Sequence, residues 1–426
     1  MVKFENLIKP EMNKNKNANL KRSLCVFSVL FAFSIGFFVG ILIPIMCFKE
    51  DLPKNKTKID LNHGDEFKIE NIFLNNSFGN LNLNQNLTKN EFSTVSFIEN
   101  FETNNLIENG IFWGKKIENL IPKGFNENHH KSWKNFINTN TAVKLENGCG
   151  RMQNRLVIFE NGFKGCIRYR QNIDQIQGEL FSFYLGQILK LNNLAPSIVS
   201  VVNLKDDFFK NIVHDISLAQ WNSNKPIVLT KYIENLDSAN IPKVFKSSDK
   251  HLNKFDVKKI IDNELETSKS LIELAQWCDL IIFDYLTANL DRVVNNLFNY
   301  QWNVNIMEAP AHNLAKNSNS NLLVFLDNES GLLHGYRLLQ KYEKYHSILL
   351  DNLCMFRKQT VNIIKDLKFK KNVGVLLKEM FDRNNDGKVK DVLPTLPEKS
   401  IKTLNERIEK VYNQILKCES IYSDNR

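Results

Sequence analysis

The chain has 426 residues, 43% of them hydrophobic and 24% charged, and a formal net charge of +9. A chain of this length and composition can bury a substantial core, which excludes a wholly disordered protein. The positive charge could indicate nucleic-acid binding, but there is no Lys/Arg stripe interleaved with aromatics and no zinc-finger spacing, so we expect no nucleic-acid partner. The eight His residues show no metal-ligand spacing, which argues against zinc.

An apolar segment near the N-terminus predicts a membrane anchor. Residues 24–48 contain no charged side chain, and about 20 apolar residues are enough to cross a bilayer as a helix. The run is too long, and the polar segment before it too extended, for a cleaved signal peptide. We therefore predict a cytosolic tail at residues 1–23 and a transmembrane signal anchor at 24–48.

Two features decide which side of the membrane the rest of the chain occupies. Residues 3–22 carry six Lys/Arg and residues 49–68 carry five, so the positive-inside rule only weakly favours a cytosolic N-terminus. Three Asn-x-Ser/Thr sequons in the stretch just after the anchor, at Asn55, Asn75 and Asn86, and five Cys beyond the anchor are typical of an oxidising lumen. Together they favour a type II topology with a luminal C-terminus.

The predicted luminal part divides into three regions. Residues 49–105 are rich in Asn and show little hydrophobic periodicity, as expected of a stem or linker that cannot offset its ordering entropy by burial. From residue 106 onward the pattern is that of a globular protein. We predict a strand-rich N-lobe at residues 106–235 and a helical C-lobe at 236–426.

The strand-rich part begins with a hairpin signal. In "RLVIFENGFKGCIRYR", residues 155–170, two apolar runs flank Asn161-Gly162, a pair that supplies the positive φ angles of a tight turn. Two further apolar runs, 197–204 and 226–233, predict strands. A hairpin and two strands with one helix between them make a small α+β lobe.

The helix between these strands is predicted from its start signal and its period. Asp174 with Gln177 three residues later resembles a capping box, so we expect the helix to begin there. Apolar residues then recur at helical spacing: Ile176, Leu180, Phe183, Tyr184, Ile188 and Leu191.

The second part is predicted to be mainly helical. Residues 271–290 form one long amphipathic pattern, and "EKSIKTLNERIEKVYNQILKC", residues 398–418, forms another. Between them, the apolar run at 322–327 predicts a short buried strand that ends in an acid. A strand-rich lobe followed by a helical lobe is the order seen in two-lobed kinase folds.

The stretch "FDYLTANLDRVVNNLF", residues 283–298, has the residue types of a phosphoryl-transfer site. Asp291 and Asn296 have the Asp-x-x-x-x-Asn spacing of the protein-kinase catalytic loop, in which the Asp orients the attacking hydroxyl and the Asn holds a metal ion. In so Asn-rich a chain the same spacing could also be a polar helix end. We assign Asp284, one helical face away, a structural role.

Three further residues fit the same chemistry. Asp327 ends a buried strand, where the kinase metal-binding Asp lies, although Asp-Asn followed by Gly331 would also suit a turn. Arg168 ends the second hairpin strand, and Glu179 lies on the next helix. This is the order of the basic–acidic pair that clamps nucleotide phosphates in kinases, although an acid in an early helical turn is also favoured by the helix dipole.

Four stretches resemble a known family. "QIQGELFSFYL", "FDYLTANLDRVVNNLF", "VFLDNESGLLHGYR" and "LCMFRKQT" are similar to the Four-jointed box kinases, and the resemblance spans roughly residues 145–420. Members are Golgi-resident type II membrane proteins, related to Golgi casein kinase, that phosphorylate Ser/Thr in cadherin repeats of Fat and Dachsous. The resemblance implies that Asp291 is the catalytic Asp, Asp327 the metal-binding Asp and Glu179 the helix Glu.

The chain departs from the general kinase pattern in two places. Arg168 stands where most kinases have Lys, which puts nucleotide affinity in question. About 19 polar residues between Asn303 and Asn321 lengthen the gap between the two acids, and we expect them to form only a surface loop.

These observations combine into one prediction with two rivals. We expect an α+β, two-lobed atypical protein-kinase-like fold behind an N-terminal transmembrane helix, acting as a luminal Golgi Ser/Thr protein kinase with ATP and Mn or Mg. The first rival is a pseudokinase that binds cadherin partners without turnover. The second, a glycosyltransferase, would want an Asp-x-Asp motif, which the second half lacks. Substrate hydroxyl, stem cleavage with secretion, and oligomeric state stay open.

The Cys residues beyond the anchor predict two disulfides. Cys149 and Cys166 flank the hairpin, Cys354 and Cys418 would tie the last helix to the body, and Cys278 lies within an apolar helix, where a buried thiol packs as a small hydrophobe.

An incomplete calcium motif is predicted to be a turn. "DRNNDGKVKDVL", residues 382–393, matches an EF-hand loop at its first positions, but Leu393 stands where the bidentate Glu should be.

Overall fold

The computed structural model describes residues 106–246, 251–263 and 267–424, and all of them belong to one compact unit. The predicted tail, anchor, stem and glycosylation sites lie outside these residues. Of the helices that the structure describes, none combines the length and apolarity needed to span a membrane.

The described strands are, in chain order, β1 (Ile107–Glu108), β2 (Phe112–Trp113), β3 (Ala142–Asn147), β4 (Arg155–Phe159), β5 (Lys164–Tyr169), β6 (Ser197–Val201), β7 (Pro226–Lys231), β8 (Leu236–Asn240), β9 (Pro310–Asn317) and β10 (Leu323–Phe325). The described α-helices are α1 (Lys115–Leu120), α2 (Glu127–Thr139), α3 (Ile173–Ile188), α4 (Val213–Leu218), α5 (Lys254–Asn263), α6 (Thr267–Thr287), α7 (Val293–Asn299), α8 (His334–Arg337), α9 (Leu339–Asp351), α10 (Lys358–Lys370), α11 (Val373–Asn384), α12 (Gly387–Val392) and α13 (Glu398–Tyr422).

A five-stranded antiparallel sheet, in the order β3-β4-β5-β7-β6, contains the predicted hairpin. Phe159 N donates to Phe163 O at 3.0 Å, and Gly162 takes φ of 78°, the positive value that the Asn-Gly turn predicts. Along β5, Ile167 and Tyr169 are buried in the core beneath the sheet. Because side chains alternate across a strand, Arg168 points to the opposite face.

Helix α3 joins this sheet to the helical part of the molecule. Its residues 176–186 are all buried, and Phe181 stacks on Phe381 at a ring distance of 5.5 Å. A Cβ on Gly178 would lie 2.5 Å from Glu329 O, so a glycine is needed for the chain after β10 to approach this helix. The approach places two distant segments beside Glu179.

The predicted start of α3 is wrong by two residues. The N-cap is Asn172, whose side chain accepts from Asp174 N at 3.0 Å. Gln177 does not complete a capping box, because its amide donates to Pro394 O at 2.8 Å in the C-terminal part. The Gln177 side chain therefore makes a tertiary contact instead of a local cap.

A second sheet, in the order β10-β9-β8, was not predicted in full. The apolar run at 322–327 forms β10 as expected, but part of the polar insertion, expected to be only a surface loop, forms β9 and a 3-10 turn at Val304–Met307. The backbone of β9 pairs with both neighbours, and Leu314 and Ala315 are buried on it. Backbone pairing, which composition does not reveal, outweighs the polar character of the segment.

The helical part is built around α6 and α13. Helix α6 ends at Thr287, three residues before the predicted end, because Ala288 takes a left-handed φ of 52° and Asn289 N caps back to Asp284 O at 3.0 Å. Helix α13 confirms the predicted C-terminal helix. The segment 382–393, predicted to be a turn, is mostly helical: it contains the end of α11 and all of α12, and only residues 385–386 connect the two helices. Asp386 caps α12 by accepting from Val389 N at 3.0 Å, a local start signal that ends the turn early.

The cysteines pair as predicted. Disulfides join Cys149 to Cys166 and Cys354 to Cys418, and Cys278 is a buried free thiol. Burial raises the pKa of the Cys278 thiol, which keeps it in the neutral, unreactive form.

Candidate active site

Arg168 lies at the centre of the predicted site. Its Nε is 3.7 Å from Glu179 Oε2, and its Nη1 is 2.7 Å from both Asp327 Oδ1 and Glu329 Oε2. The Arg168 side chain is only 14% exposed. The structure therefore brings together the strand, the helix and the strand-end acid that the sequence singled out.

Glu179 is held from both sides of the cleft. Besides Arg168, its Oε2 accepts from Asn328 N at 2.6 Å. Burial raises the pKa of Glu179, and Arg168 and the Asn328 N–H oppose that rise while the neighbouring acids add to it. Glu179 thus links α3 to the chain that follows β10.

Asp327 follows β10 in an unusual backbone conformation. Its φ is 50°, in the left-handed region, which costs a non-glycine residue on the order of 1 kcal/mol. The side chain is 15% exposed, more than that of Glu179 or Glu329. This turn aims the carboxylate at the cleft after a strand that is otherwise buried.

Glu329 is a central residue that the sequence reasoning missed. Its carboxylate lies 2.7 Å from Arg168 Nη1, 2.7 Å from Arg170 Nε and 3.0 Å from Arg151 Nη1, and it accepts from Gln175 at 3.0 Å. The available signal was a second acid two residues after Asp327 in "LDNE". Of its three arginine partners, Arg168 lies on β5, Arg170 directly follows it, and Arg151 lies in the loop between β3 and β4, so only the fold brings them together.

Asp291 lies on the connection after α6 and is tied to the same loop. Asn289 Oδ1 accepts from Asp291 N at 3.0 Å and from the Ser330 hydroxyl at 2.9 Å. Burial raises the pKa of the Asp291 carboxyl, and the charge of Asp327 raises it further. The two predicted acids are thus close enough to interact electrostatically.

Arg292 holds the segment that carries Asp291 against the segment that carries Asp327. Its fully buried guanidinium donates to Asp284, to Leu326 O at 3.0 Å and to Asn328 Oδ1 at 2.6 Å. Burial raises the pKa of Asp284 to about 7, against the opposing effect of Arg292. Asp284 therefore makes the buried contact expected of a structural residue.

Asn296, the predicted second metal ligand, lies on α7. It is 2% exposed, and its amide donates to Ile306 O at 3.4 Å. Within the described ranges, no group of three or more His, Cys, Asp or Glu side chains is arranged to hold a metal ion. The role of Asn296 remains a prediction.

A cavity of about 290 Å³ opens beside the cluster. Arg168, Glu179 and Asp327 form one end, and Leu194, Ala195 and Ile233 contribute apolar surface. A pocket of this kind, apolar with a few convergent charged groups, is typical of small-molecule sites. The carboxylate oxygens at its charged end are the ligands that Mn²⁺ or Mg²⁺ prefers, so the donor set fits a hard divalent cation.

Comparisons with known proteins place the chain in a family. The model of the Four-jointed box protein middle domain matches residues 128–421. The extracellular serine/threonine protein kinase four-jointed of Drosophila melanogaster is 47% identical over 357 residues, covering 74% of this chain and 61% of that protein. Four-jointed box protein 1 of Xiphophorus maculatus is 36% identical over 317 residues, covering 74% and 73%.

The chain belongs to the Four-jointed box family, which confirms the resemblance. It spans 61% of the length of the fly relative. Among solved structures, the Golgi casein kinase with Mn/ADP bound aligns with a TM-score of 0.45 and 12% identity, covering 68% of this chain and 76% of that one. The α+β fold follows from the strands and helices of this chain itself.

Proposed function

We propose that this chain is a Ser/Thr protein kinase of the secretory pathway that transfers the γ-phosphate of ATP to extracellular domains, with cadherin repeats as substrates. The observation that supports it most is the meeting of Arg168, Glu179 and Asp327 at one cavity, with Asp291 held nearby through Asn289. The fly relative is named a serine/threonine protein kinase.

In this proposal Asp291 is the general base. Its carboxylate would accept the proton of the substrate hydroxyl as that oxygen bonds to the γ-phosphorus and the bond to the ADP oxygen breaks. A pKa above the ordinary Asp range makes this carboxylate a stronger proton acceptor. Burial by the surrounding loops would also restrict competing water.

Asp327 and Asn296 are the proposed ligands of Mn or Mg. A bound cation would offset the negative charge on the phosphates. The φ of 50° at Asp327 directs its oxygens to the cavity in advance, so little rearrangement of the backbone is needed for binding.

Arg168 and Glu179 are the proposed nucleotide clamp. An arginine fork can donate two parallel hydrogen bonds to phosphate oxygens, and Glu179 holds its Nε end in place. The other end of Arg168, Nη1, contacts Asp327 and Glu329. Binding would therefore exchange carboxylate for phosphate and release Asp327 toward the metal.

The same contacts favour a second candidate, a pseudokinase that binds cadherin partners. Three carboxylates hold Arg168, and a nucleotide must compete with two of them. If the competition fails, the fold remains as a binding module without turnover.

For location, we propose the Golgi membrane, with a single type II anchor and a luminal catalytic domain. Two disulfides require an oxidising compartment, the three sequons suit a luminal stem, and the fly relative is named extracellular. Membrane attachment would come from the predicted anchor at 24–48.

The test is phosphate transfer by the purified full chain. Radiolabelled ATP, cadherin repeats and either Mn or Mg should yield labelled repeats with the wild type and none with Asp291→Asn. Binding of ATP without any transfer under these conditions would support the pseudokinase instead, and absence of both would refute the nucleotide site.

A further inference from the structure

The loop between β3 and β4, residues 148–154, brings an arginine to the mouth of the cleft. Arg151 Nη1 lies 3.0 Å from Glu329 Oε1, and its Nε lies 4.0 Å from Asp327 Oδ2. The side chain of Arg151 is 52% exposed, whereas that of Arg168 is 14% exposed. Arg151 therefore reaches the acidic cluster from solvent.

Arg151 differs from the other two arginines of the cluster in how its donors are used. Arg168 lies among three carboxylates, and Arg170 is 2% exposed and donates to Asn154 Oδ1 and Tyr169 O, both at 2.7 Å. A guanidinium has five N–H donors. Since half of the Arg151 side chain faces solvent, it retains donors that a ligand entering the cavity could meet.

The loop that carries Arg151 is held in place covalently. Cys149 and Gly150 take consecutive left-handed φ values of 60° and 88°, and Cys149 is bonded to Cys166. Cys166 precedes Arg168 by two residues on β5, so both lie on the cleft face. Asn154 Nδ2 also donates to Cys149 O at 2.6 Å, which closes the loop on itself.

We propose that Arg151 is a nucleotide-binding residue that contacts the terminal phosphates, and that the Cys149–Cys166 disulfide positions it over the cavity. The inference rests on the proposed function. A nucleoside triphosphate brings more negative charge to the site than Glu329 alone offers, and guanidinium pairs with phosphate through two parallel hydrogen bonds. Arg151 moves from Glu329 to the phosphates, and Glu329 keeps Arg170, whose Nε lies 2.7 Å from its Oε2.

The first test measures nucleotide binding by the full chain in the presence of Mn. In Arg151→Ala the Kd for ATP should rise about 10-fold or more, because one charge-assisted contact is lost, while the Kd for AMP should change little. Arg337→Ala is the matched control, since the Arg337 side chain is also 52% exposed and pairs with one acid, Asp174, at 2.7 Å. It should bind ATP like the wild type.

The second test separates the disulfide from the arginine. Cys149→Ser with Cys166→Ser should weaken ATP binding, and adding Arg151→Ala should cause little further loss, because both changes remove one contact. Gly150→Ala is the alternative should the cysteine variant fold poorly. A Cβ there meets nothing within 4 Å, yet φ of 88° strains the loop, so it should act in the same non-additive way.

The outcomes distinguish this inference from the function on which it rests. Wild-type binding of ATP with an unchanged Kd in Arg151→Ala, or equal losses for ATP and AMP, would overturn the role of Arg151 alone. Additive effects of Arg151→Ala and the loop variants would overturn the positioning role of the disulfide. A wild type that binds no nucleotide would overturn the proposed function and the inference together.

Discussion

Two arginine–carboxylate clusters occupy different regions of the molecule, and the arginine of each is buried to a similar extent. In the cleft, Arg168 meets Glu179, Asp327 and Glu329. In the helical part, Arg357 lies 2.8 Å from Glu118 and 2.9 Å from Asp279. The two arginines are 14% and 16% exposed, so the burial of the arginine does not distinguish the clusters.

Geometry does distinguish them. Arg357 contacts Glu118 through both Nε and Nη2, and Asp279 accepts from Arg357 Nη1 at 2.9 Å and from the Thr360 hydroxyl at 2.7 Å. Asp327 in the cleft is 15% exposed beside a cavity of about 290 Å³, whereas Asp279 is 1% exposed. Asp279 is thus enclosed by protein groups that bond to it, whereas Asp327 lies beside a cavity that a ligand could enter.

The electrostatics differ in the same sense. Burial raises the pKa of both Asp279 and Asp291. After burial, the largest influence on the pKa of Asp279 is Arg357, which lowers that pKa. For Asp291 it is the charge of Asp327, which raises the pKa of Asp291 further. At Asp279 an arginine opposes the effect of burial, whereas at Asp291 a second carboxylate adds to it, so a positive charge placed near Asp291 would be favoured.

The largest effect should follow from removing the cleft acids. Asp291→Asn should lower phosphate transfer by at least about 100-fold, the lower range for loss of acid–base catalysis. Asp327→Ala should also abolish most transfer, because it removes a proposed ligand of the metal that offsets the phosphate charge. Only Asp327→Ala should also weaken Mn-dependent ATP binding. Labelled-phosphate transfer and ATP titration measure the two effects, and thermal unfolding should show that the fold persists. Full activity in Asp291→Asn would contradict the role of Asp291 as general base, and with it the functional difference between the two clusters.

In the cluster around Arg357, loss of one acid should reduce stability instead. Asp279→Ala would leave Glu118 as the carboxylate partner of Arg357 and would remove the acceptor of the buried Thr360 hydroxyl, so the free energy of unfolding should fall by about 1–3 kcal/mol. Urea unfolding of the full chain measures it. Asp327→Asn is the control and should cost less, because the Asp327 side chain is 15% exposed against 1% for Asp279. Equal losses in both variants would mean that the clusters do not differ as described.

Arginine-to-lysine changes should sharpen the contrast. Arg168→Lys should change ATP affinity about 10-fold, since lysine replaces a planar fork by a point charge. Arg357→Lys should leave ATP affinity unchanged and lower the free energy of unfolding by about 1–2 kcal/mol, because the two bonds to Glu118 cannot both be kept. ATP titration and urea unfolding on both variants give the four values. A swapped pattern would contradict the assignment of roles.

The smallest effect concerns pH. Asp291 acts as a carboxylate, so kcat/KM should fall as the pH drops through its raised pKa, above the ordinary value of about 4. Because the folded pKa exceeds the unfolded one, stability present below the ordinary pKa is lost as the pH rises through the raised value. Asp291→Asn cannot ionise, so urea unfolding across this window should show the variant gaining stability relative to the wild type. Parallel curves would contradict the raised pKa.

Several features could be predicted because they depend on residues close in sequence. The hairpin turn at Asn161-Gly162, the apolar period of α3 and the buried strand before Asp327 each have a local physical cause. The predicted start of α3, and the prediction of a loop where β9 forms, were wrong because long-range contacts decide both. Gln177 bonds across 217 residues to Pro394, and β9 is formed by pairing with β8 and β10 rather than by its own composition.

The sequence by itself determined the residue types and order of the candidate site: Arg168, Glu179 and Asp327 by their places at the end of a strand or on a helix, and Asp291 by its spacing from Asn296. Only the tertiary structure decided that Glu329 and Arg151 join them, and that Gly178 lets the chain after β10 reach α3. Side-chain alternation and helical period act over a few residues. Contacts among charged groups act through space, and the fold alone sets those distances.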